Sequence, residues 1–299
     1  MTTIRQLIDS DYEQADAFLS KHSETCLFMR SNIADAGIVY RGLRYQGDHY
    51  GAFEGNELIG IIAHYWNGNV MLQMKSDDEL PIQLLREEIL KNAYQTNRPI
   101  RGTLGPDNQV QIFLNYKDLK KWKRQYNTKE HLLGLNLNNL IIPDLCHDPD
   151  YTIRLPVEAD RDLMAYWRYE FEIETGISQN TPETKERVQQ DVQEFMTNGR
   201  YWLFEHQKTP VSFVGFNAVI SDTVQPGGVW TPPPHRNKGY ARAATAMILQ
   251  LARDEWGKTK SVIFTSNPAA EKAYVSLGYQ FFGHFALITL KKPYLPKKL

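Results

Sequence analysis

The sequence predicts an α/β (α+β) chain of two similarly built halves, each a mixed, mostly antiparallel sheet flanked by helices. Three observations carry this. Strand and helix patterns follow one another in the same order twice, β-α-α-β-β-β-α-β-α-β. Turn residues separate the middle strands of each half, with Asn67-Gly68 as the plainest hairpin signal. Each half also holds one long run with apolar residues three and four apart, "LPIQLLREEILKNAY" and "ARAATAMILQLARDEW".

Each half opens on a short strand, "TIRQL" at Thr3 and "YTIRLP" at Tyr151, followed by acids suited to a helix start, Asp9 and Asp11 or Glu158 and Asp160. Helical stretches come next, and in the second half Thr181 before Pro182 marks an N-cap, with Gly199 at the helix end. Strands "HYGAFEG", "ELIGIIAHYW" and "NVMLQM" then match "RYWLFEH", "PVSFVGFNAVIS" and "GGVWT". The long helix follows, with Ala241, Ala244, Met247, Ile248 and Leu251 as the expected buried face of the second one. A strand ("PIRGTL"; "KSVIFTS"), a shorter helix and closing strands ("LLGLNLNNLII"; "FFGHFALITL") finish each half. The proline-broken "PDLCHDPD" is the expected linker between domains at 1–145 and 151–299.

Composition narrows the function. The chain of 299 residues has 34 basic and 35 acidic side chains, so no charge field points to nucleic acid or an anionic membrane. No stretch approaches the roughly 18 apolar residues of a membrane span, and no signal region opens the chain, so a cytoplasmic protein is expected. Cys26 and Cys146 lie too far apart to suggest a disulfide framework, and the Cys146-His147-Asp148 group has no matching ligands elsewhere, so no metal is expected. Monomer and homodimer both stay open.

The most informative stretch is "TPPPHRNKGYARAATAMILQLARDEWG" from Thr231. Prolines end a strand, and the helix pattern starts near Lys238 to Tyr240. The first N–H groups of that helix lack intrahelical partners and, with the positive end of the dipole, form an anion site. Gly239 admits a ligand close to the backbone, and Arg236 and Lys238 add charge. A pyrophosphate fits this description.

The spacing Arg236-Asn237-Lys238-Gly239-Tyr240-Ala241 resembles the Arg/Gln-x-x-Gly-x-Gly/Ala loop of the GNAT superfamily of acyl-CoA N-acyltransferases, and "GGVWTPPPHRNKGYA" resembles a predicted-acetyltransferase subgroup within it. "FTSNPAAEKAYVSLGYQ" is similar to the family's later motif. The resemblance implies tandem GNAT-like domains and an acetyl-CoA-dependent N-acetyltransferase acting on a small-molecule or peptide amine by direct attack in a ternary complex. It also implies site roles. The loop residues would wrap the coenzyme A pyrophosphate, Asn267 would bond the pantetheine arm, and Tyr274 would give a proton to the departing thiolate. Val229, Trp230 and Thr231 would offer their backbone to the arm and the thioester oxygen, on a strand splayed by a bulge. For the base, Glu170, Glu172 and Glu174 are candidates, with Glu172 preferred. His235 receives no role.

At the corresponding place in the first half, Asp77, Asp78 and Glu79 stand where a phosphate would have to bind, and no glycine precedes them. That half is therefore expected to be a degenerate copy that buttresses the other and shapes the acceptor entrance. Alternatives are a noncatalytic acyl-CoA-binding module and a tandem transferase with another acyl donor.

Overall fold

The structure is a computed structural model that describes residues 1–116 and 119–297. The chain forms two compact units, Met1–Leu132 with Phe282–Leu299, and Leu133–Phe281.

The first unit contains β1 (Thr2–Gln6), α1 (Tyr12–Ser20), α2 (Leu27–Ala36), β2 (Gly47–Glu54), β3 (Glu57–Tyr65), β4 (Asn69–Met74), α3 (Glu79–Thr96), β5 (Ile100–Pro106), α4 (Asp107–Leu114) and most of β6 (Arg124–Asn136). The second contains β7 (Tyr151–Arg154), α5 (Arg161–Glu174), α6 (Pro182–Thr197), β8 (Tyr201–His206), β9 (Thr209–Val219), β10 (Thr223–Trp230), α7 (Tyr240–Asp254), β11 (Lys260–Thr265) and α8 (Pro268–Val275). The last strand, β12 (Gln280–Tyr294), belongs almost entirely to the first unit. The element order matches the expected one in both halves.

Strands run β1-β2-β3-β4-β5-β12-β6 in the first unit and β6-β11-β10-β9-β8-β7 in the second. Neighbours are antiparallel at β1–β2, β2–β3, β3–β4 and β5–β12, and parallel at β4–β5. The second unit repeats this, antiparallel through β7–β8–β9–β10 and parallel at β10–β11. Both faces are covered. In the first unit Ile82, Leu85 and Ile89 of α3 pack with Val110 and Phe113 of α4 on one face, while Ala15, Leu19, Met29 and Ile33 of α1 and α2 pack on the other. In the second unit α7 buries Ala244, Ile248 and Leu249 against Phe204, Val214 and Phe216, and α5 and α6 bury Met164, Trp167, Val188 and Val192 against Tyr201, Leu203 and Phe213.

The two halves share one local device. Arg5 on β1 makes a forked bond to Asp11 at 2.6 and 2.7 Å, while Asp11 also accepts the Ile8 N–H at 2.8 Å. Arg154 on β7 does the same to Asp160 at 2.5 and 2.9 Å, and Asp160 accepts the Val157 N–H at 2.8 Å. Of the acids expected at the helix starts, Asp11 and Asp160 thus close the short 3-10 turn before each helix, anchored by a guanidinium six residues earlier, while Asp9 and Glu158 pair with Arg41 and Arg161.

Two expectations differ from the structure. The compact units do not divide at 145–151, because boundaries fall inside β6 and β12, and Leu145 and Cys146 of the expected linker pack against the core of the second unit. Helix α7 buries Tyr240, Ala243, Ala244, Thr245, Ala246, Ile248, Leu249 and Ala252, leaving Ala241, Met247 and Leu251 only half-buried. So many of its residues are small or apolar that the sequence period does not fix which stripe faces inward.

Among the described residues no helix is long and apolar enough to cross a membrane, and no group of three or more His, Cys, Asp or Glu is placed to hold a metal.

Candidate functional site

The site is built on β10 and its exits. Parallel pairing with β11 covers only Thr223↔Lys260 and Val224↔Ser261, so the two strands part beyond Val224. On its other side β10 pairs with β9 through register shifts at Gln225/Pro226 and between Gly227 and Trp230. Gly228 has φ +61°, a conformation that suits glycine. The bulge is set by "PGG" at Pro226–Gly228, a signal present in the sequence but assigned there to the residues that follow. A Cβ at Gly227 would meet the end of the exposed Asn217 side chain, which would have to shift.

Trp230 and Thr231 close the strand. The Ser212 hydroxyl donates to the Trp230 carbonyl at 2.9 Å and lies 2.9 Å from the Thr231 hydroxyl. Arg236 donates from Nε to the Thr231 carbonyl at 2.9 Å and pairs through Nη2 with Glu174 at 2.6 Å. Arg236 thus ties the strand end and loop to the end of α5. Val229 packs on the α7 side of the sheet and the Trp230 indole on the α5/α6 side.

The chain then turns into α7. Pro233–His235 form a 3-10 turn, Asn237 (φ +63°) and Gly239 (φ +79°) are left-handed, and Tyr240 begins the helix. No side chain caps α7, unlike α6, where Thr181 accepts from Thr184 N, and α8, where Asn267 accepts from Ala269 N and Ala270 N. Asn237, Lys238 and Gly239 are exposed, and a Cβ at Gly239 would meet nothing within 4 Å. The cradle therefore has the free N–H groups, the open approach and the local cation that an anion requires. Tyr240 contributes only backbone, because its ring is buried against Tyr151 and Phe204; Ala241 is half-buried. Arg242, in the first turn of α7, has a buried Nε without a partner and was not singled out from the sequence. Its place in the first helical turn is the signal that could have found it.

On α8, Asn267 spends its carbonyl oxygen on the helix cap, at 2.9 and 3.2 Å from Ala269 N and Ala270 N. Asn267→Ala is expected to cost about 1 kcal/mol of stability through the lost cap, whatever its effect on ligand binding, and chemical denaturation checks this. Tyr274 is buried in the α7-side core beside Tyr279, at 5.9 Å between ring centres. Burial pushes its phenol well above the ordinary value, so it stays protonated at neutral pH. Burial also raises Cys26, and it raises Cys146 to about 11, so neither is a thiolate.

Glu172, the preferred candidate base, lies in a network of ion pairs. Its carboxylate is 1% exposed and accepts from Arg168 Nε at 2.9 Å, Ser178 Oγ at 2.6 Å and both Nη atoms of Arg187. Burial pushes its pKa up, but the Arg168 charge and the bonds from Arg187 and Ser178 outweigh this and hold it below the usual glutamate value. A carboxylate so stabilised is a poor proton acceptor. Glu174 is likewise committed, to Arg236.

In the first unit β4 pairs with β5 only from Asn69 to Met71, so the same parting of strands exists there. Gln109 of α4 occupies it, accepting the Met74 N–H at 2.9 Å and donating to the Met74 carbonyl at 3.3 Å. Asp77 is held by Asn108 at 3.0 Å and Asp78 by Ser76 at 2.6 Å ahead of α3.

The model of the Acetyltransferase (GNAT) family matches residues 161–279. No curated protein matches the chain. Among solved structures the chain is similar to a GCN5-related N-acetyltransferase from Kribbella flavida, at TM-score 0.55 and 15% identity over 78% of this chain and 87% of that one. It is also similar to one from Sphaerobacter thermophilus, at TM-score 0.56 and 11% identity over 100% and 97%. A tandem GNAT protein from the clavulanic acid biosynthesis pathway aligns over 100% of both chains at TM-score 0.56 and 11% identity. At such identities the likeness is one of fold.

Proposed function

We propose, from the match of residues 161–279 to the Acetyltransferase (GNAT) family model, that the chain is an N-acetyltransferase moving an acetyl group from acetyl-CoA to a primary amine by direct attack. The observation that carries the reading is the uncapped, glycine-opened start of α7 at the end of a bulged strand that has parted from its parallel neighbour. In this assignment Asn237, Lys238, Gly239, Tyr240 and Ala241 hold the pyrophosphate, chiefly by backbone N–H groups, and Lys238 adds charge. Arg236 acts as the strut that holds the loop to Thr231 and Glu174.

The coenzyme thioester supplies an activated acetyl group. With the Trp230 and Thr231 carbonyls already bonded to Ser212 and Arg236, the N–H groups of Val229–Thr231 are assigned to align the arm and to meet the negative charge that grows on the carbonyl oxygen, with Asn267 also bonding the arm. Tyr274 is assigned as the proton donor to the departing thiolate, a role that requires the bound coenzyme and its surroundings to stabilise the phenolate against the burial that raises the phenol's pKa. The first unit takes no coenzyme, since Gln109 already occupies the corresponding strand backbone and acids guard the start of α3. Cytoplasmic location remains part of this reading, as does the absence of nucleic-acid or membrane partners, which the near-balanced charge supports.

One observation favours a second reading, a noncatalytic acyl-CoA-binding module: the preferred base, Glu172, is locked in ion pairs. Calorimetric titration with acetyl-CoA, coenzyme A and the dephosphorylated control, followed by an amine screen, tests both. Binding at one site per chain with turnover supports the transferase. Binding without turnover on any amine supports the module, and no binding overturns both. Tyr274→Phe is expected to lower kcat by on the order of 100-fold while leaving coenzyme affinity within about twofold.

A further inference from the structure

Arg168 on α5 is the charged group that the chemistry above leaves unused. It lies beside the β10 bulge: Nη1 is 3.4 Å from the point where a Cβ at Gly228 would stand, and the Phe213 ring is 3.2 Å from the same point. Its side chain is 17% exposed, and only Nε is hydrogen-bonded, to Glu172. Among the described residues the two Nη groups have no hydrogen-bond partner. The guanidinium is fixed in place, lying 5.3 Å from the Phe171 ring centre and 5.4 Å from that of Phe195. Glu172 accepts on the Nε side of Arg168 and is shared with Arg187, so the Nη edge is the side of the guanidinium turned away from that carboxylate. A second donor, the Trp230 indole N–H, is buried without a partner in the same α5/α6-side cluster.

We propose that the Nη edge of Arg168 receives the carboxylate of the acceptor, so that the acceptor is an amino acid and not a simple amine or polyamine. This rests on the transferase reading for what happens to the amine, but recognition of the carboxylate is independent of it. A planar fork with free parallel N–H groups matches a carboxylate in two bonds, and its partial burial removes competing water. A cationic amine without a carboxylate would instead meet an unfavourable like charge. Anchoring through Arg168 puts the acceptor next to the bulge at Gly228, the part of β10 that precedes the backbone assigned to the thioester.

The test is a calorimetric panel on the full chain, with and without saturating coenzyme A, comparing each common amino acid with the amine it becomes on loss of its carboxylate. The best amino acid is expected to bind at least about tenfold more tightly than its decarboxylated partner. Arg168→Lys keeps a charge for Glu172 but loses the fork, and it should remove most of that preference while coenzyme A affinity, the check on folding, is unchanged. Arg168→Gln with Glu172→Gln, which removes both charges, should abolish the preference. Equal or tighter binding of the amines, no binding by any amino acid, or an unchanged preference in the folded variants would overturn the proposal. Failure of coenzyme A to bind would instead overturn the transferase reading, and the arm without coenzyme would still decide the role of Arg168.

Discussion

Gly239→Glu is expected to abolish measurable coenzyme A binding while the chain stays folded. Position 239 is exposed at the start of α7, and a Cβ there meets no atom within 4 Å, so a clash at the backbone is not the cause. The new carboxylate would stand among the N–H groups that the phosphates need, taking the dipole's positive end for itself and repelling the ligand. Its folding cost is that of a non-glycine residue at φ +79°, about 1–2 kcal/mol. Gly239→Ala carries the same strain without the charge and should lose only the part of the affinity that a Cβ in the ligand's approach costs, while Gly239→Asn relieves the strain but adds more bulk, since asparagine tolerates this conformation. Affinities measured by titration for the three variants would separate charge from strain. If all three bind alike, the anion cradle is wrongly placed.

Glu172→Ala should destabilise the second unit by on the order of 3 kcal/mol, because it strips the largely buried Arg168 of its partner, while the more exposed Arg187 keeps Asp191. Thermal unfolding should register this as a loss on the order of 10 °C. Glu172→Gln keeps the shape and separates structure from catalysis: a base would lose kcat at full stability, whereas the expected result is lost stability with kcat largely kept. The pH dependence has a definite sign. The folded carboxyl titrates below its unfolded value of 4.5, so its contribution is complete above that value and disappears as pH falls through the folded one. The stability gap between the native chain and Glu172→Gln should therefore be constant above about pH 5 and narrow in acid.

Much of the fold was legible. Asn67-Gly68 ends β3 in a turn with Gly68 at φ +82°, and Thr181-Pro182 and Gly199 bracket α6 as their local chemistry requires. The anion cradle was legible for the same reason, since proline, glycine and the start of a helix act over a few residues. Glu172 was not, because its partners Ser178 and Arg187 lie six and fifteen residues away and arrive only when α5 and α6 pack. Gln109 against Met74, 35 residues apart, is another case.

The sequence by itself determined the order of elements, the turns and caps, and the glycine-opened start of α7, all of which follow from backbone preferences and periodicity within one element. Tertiary structure alone decided which unit each closing strand joins, which stripe of α7 is buried, that Glu172 is an ion-pair hub, and that Arg168 lies against the bulge. Those depend on side chains brought together from separate elements, where burial makes a charge's partner, and not its position in the chain, the determinant of what it can do.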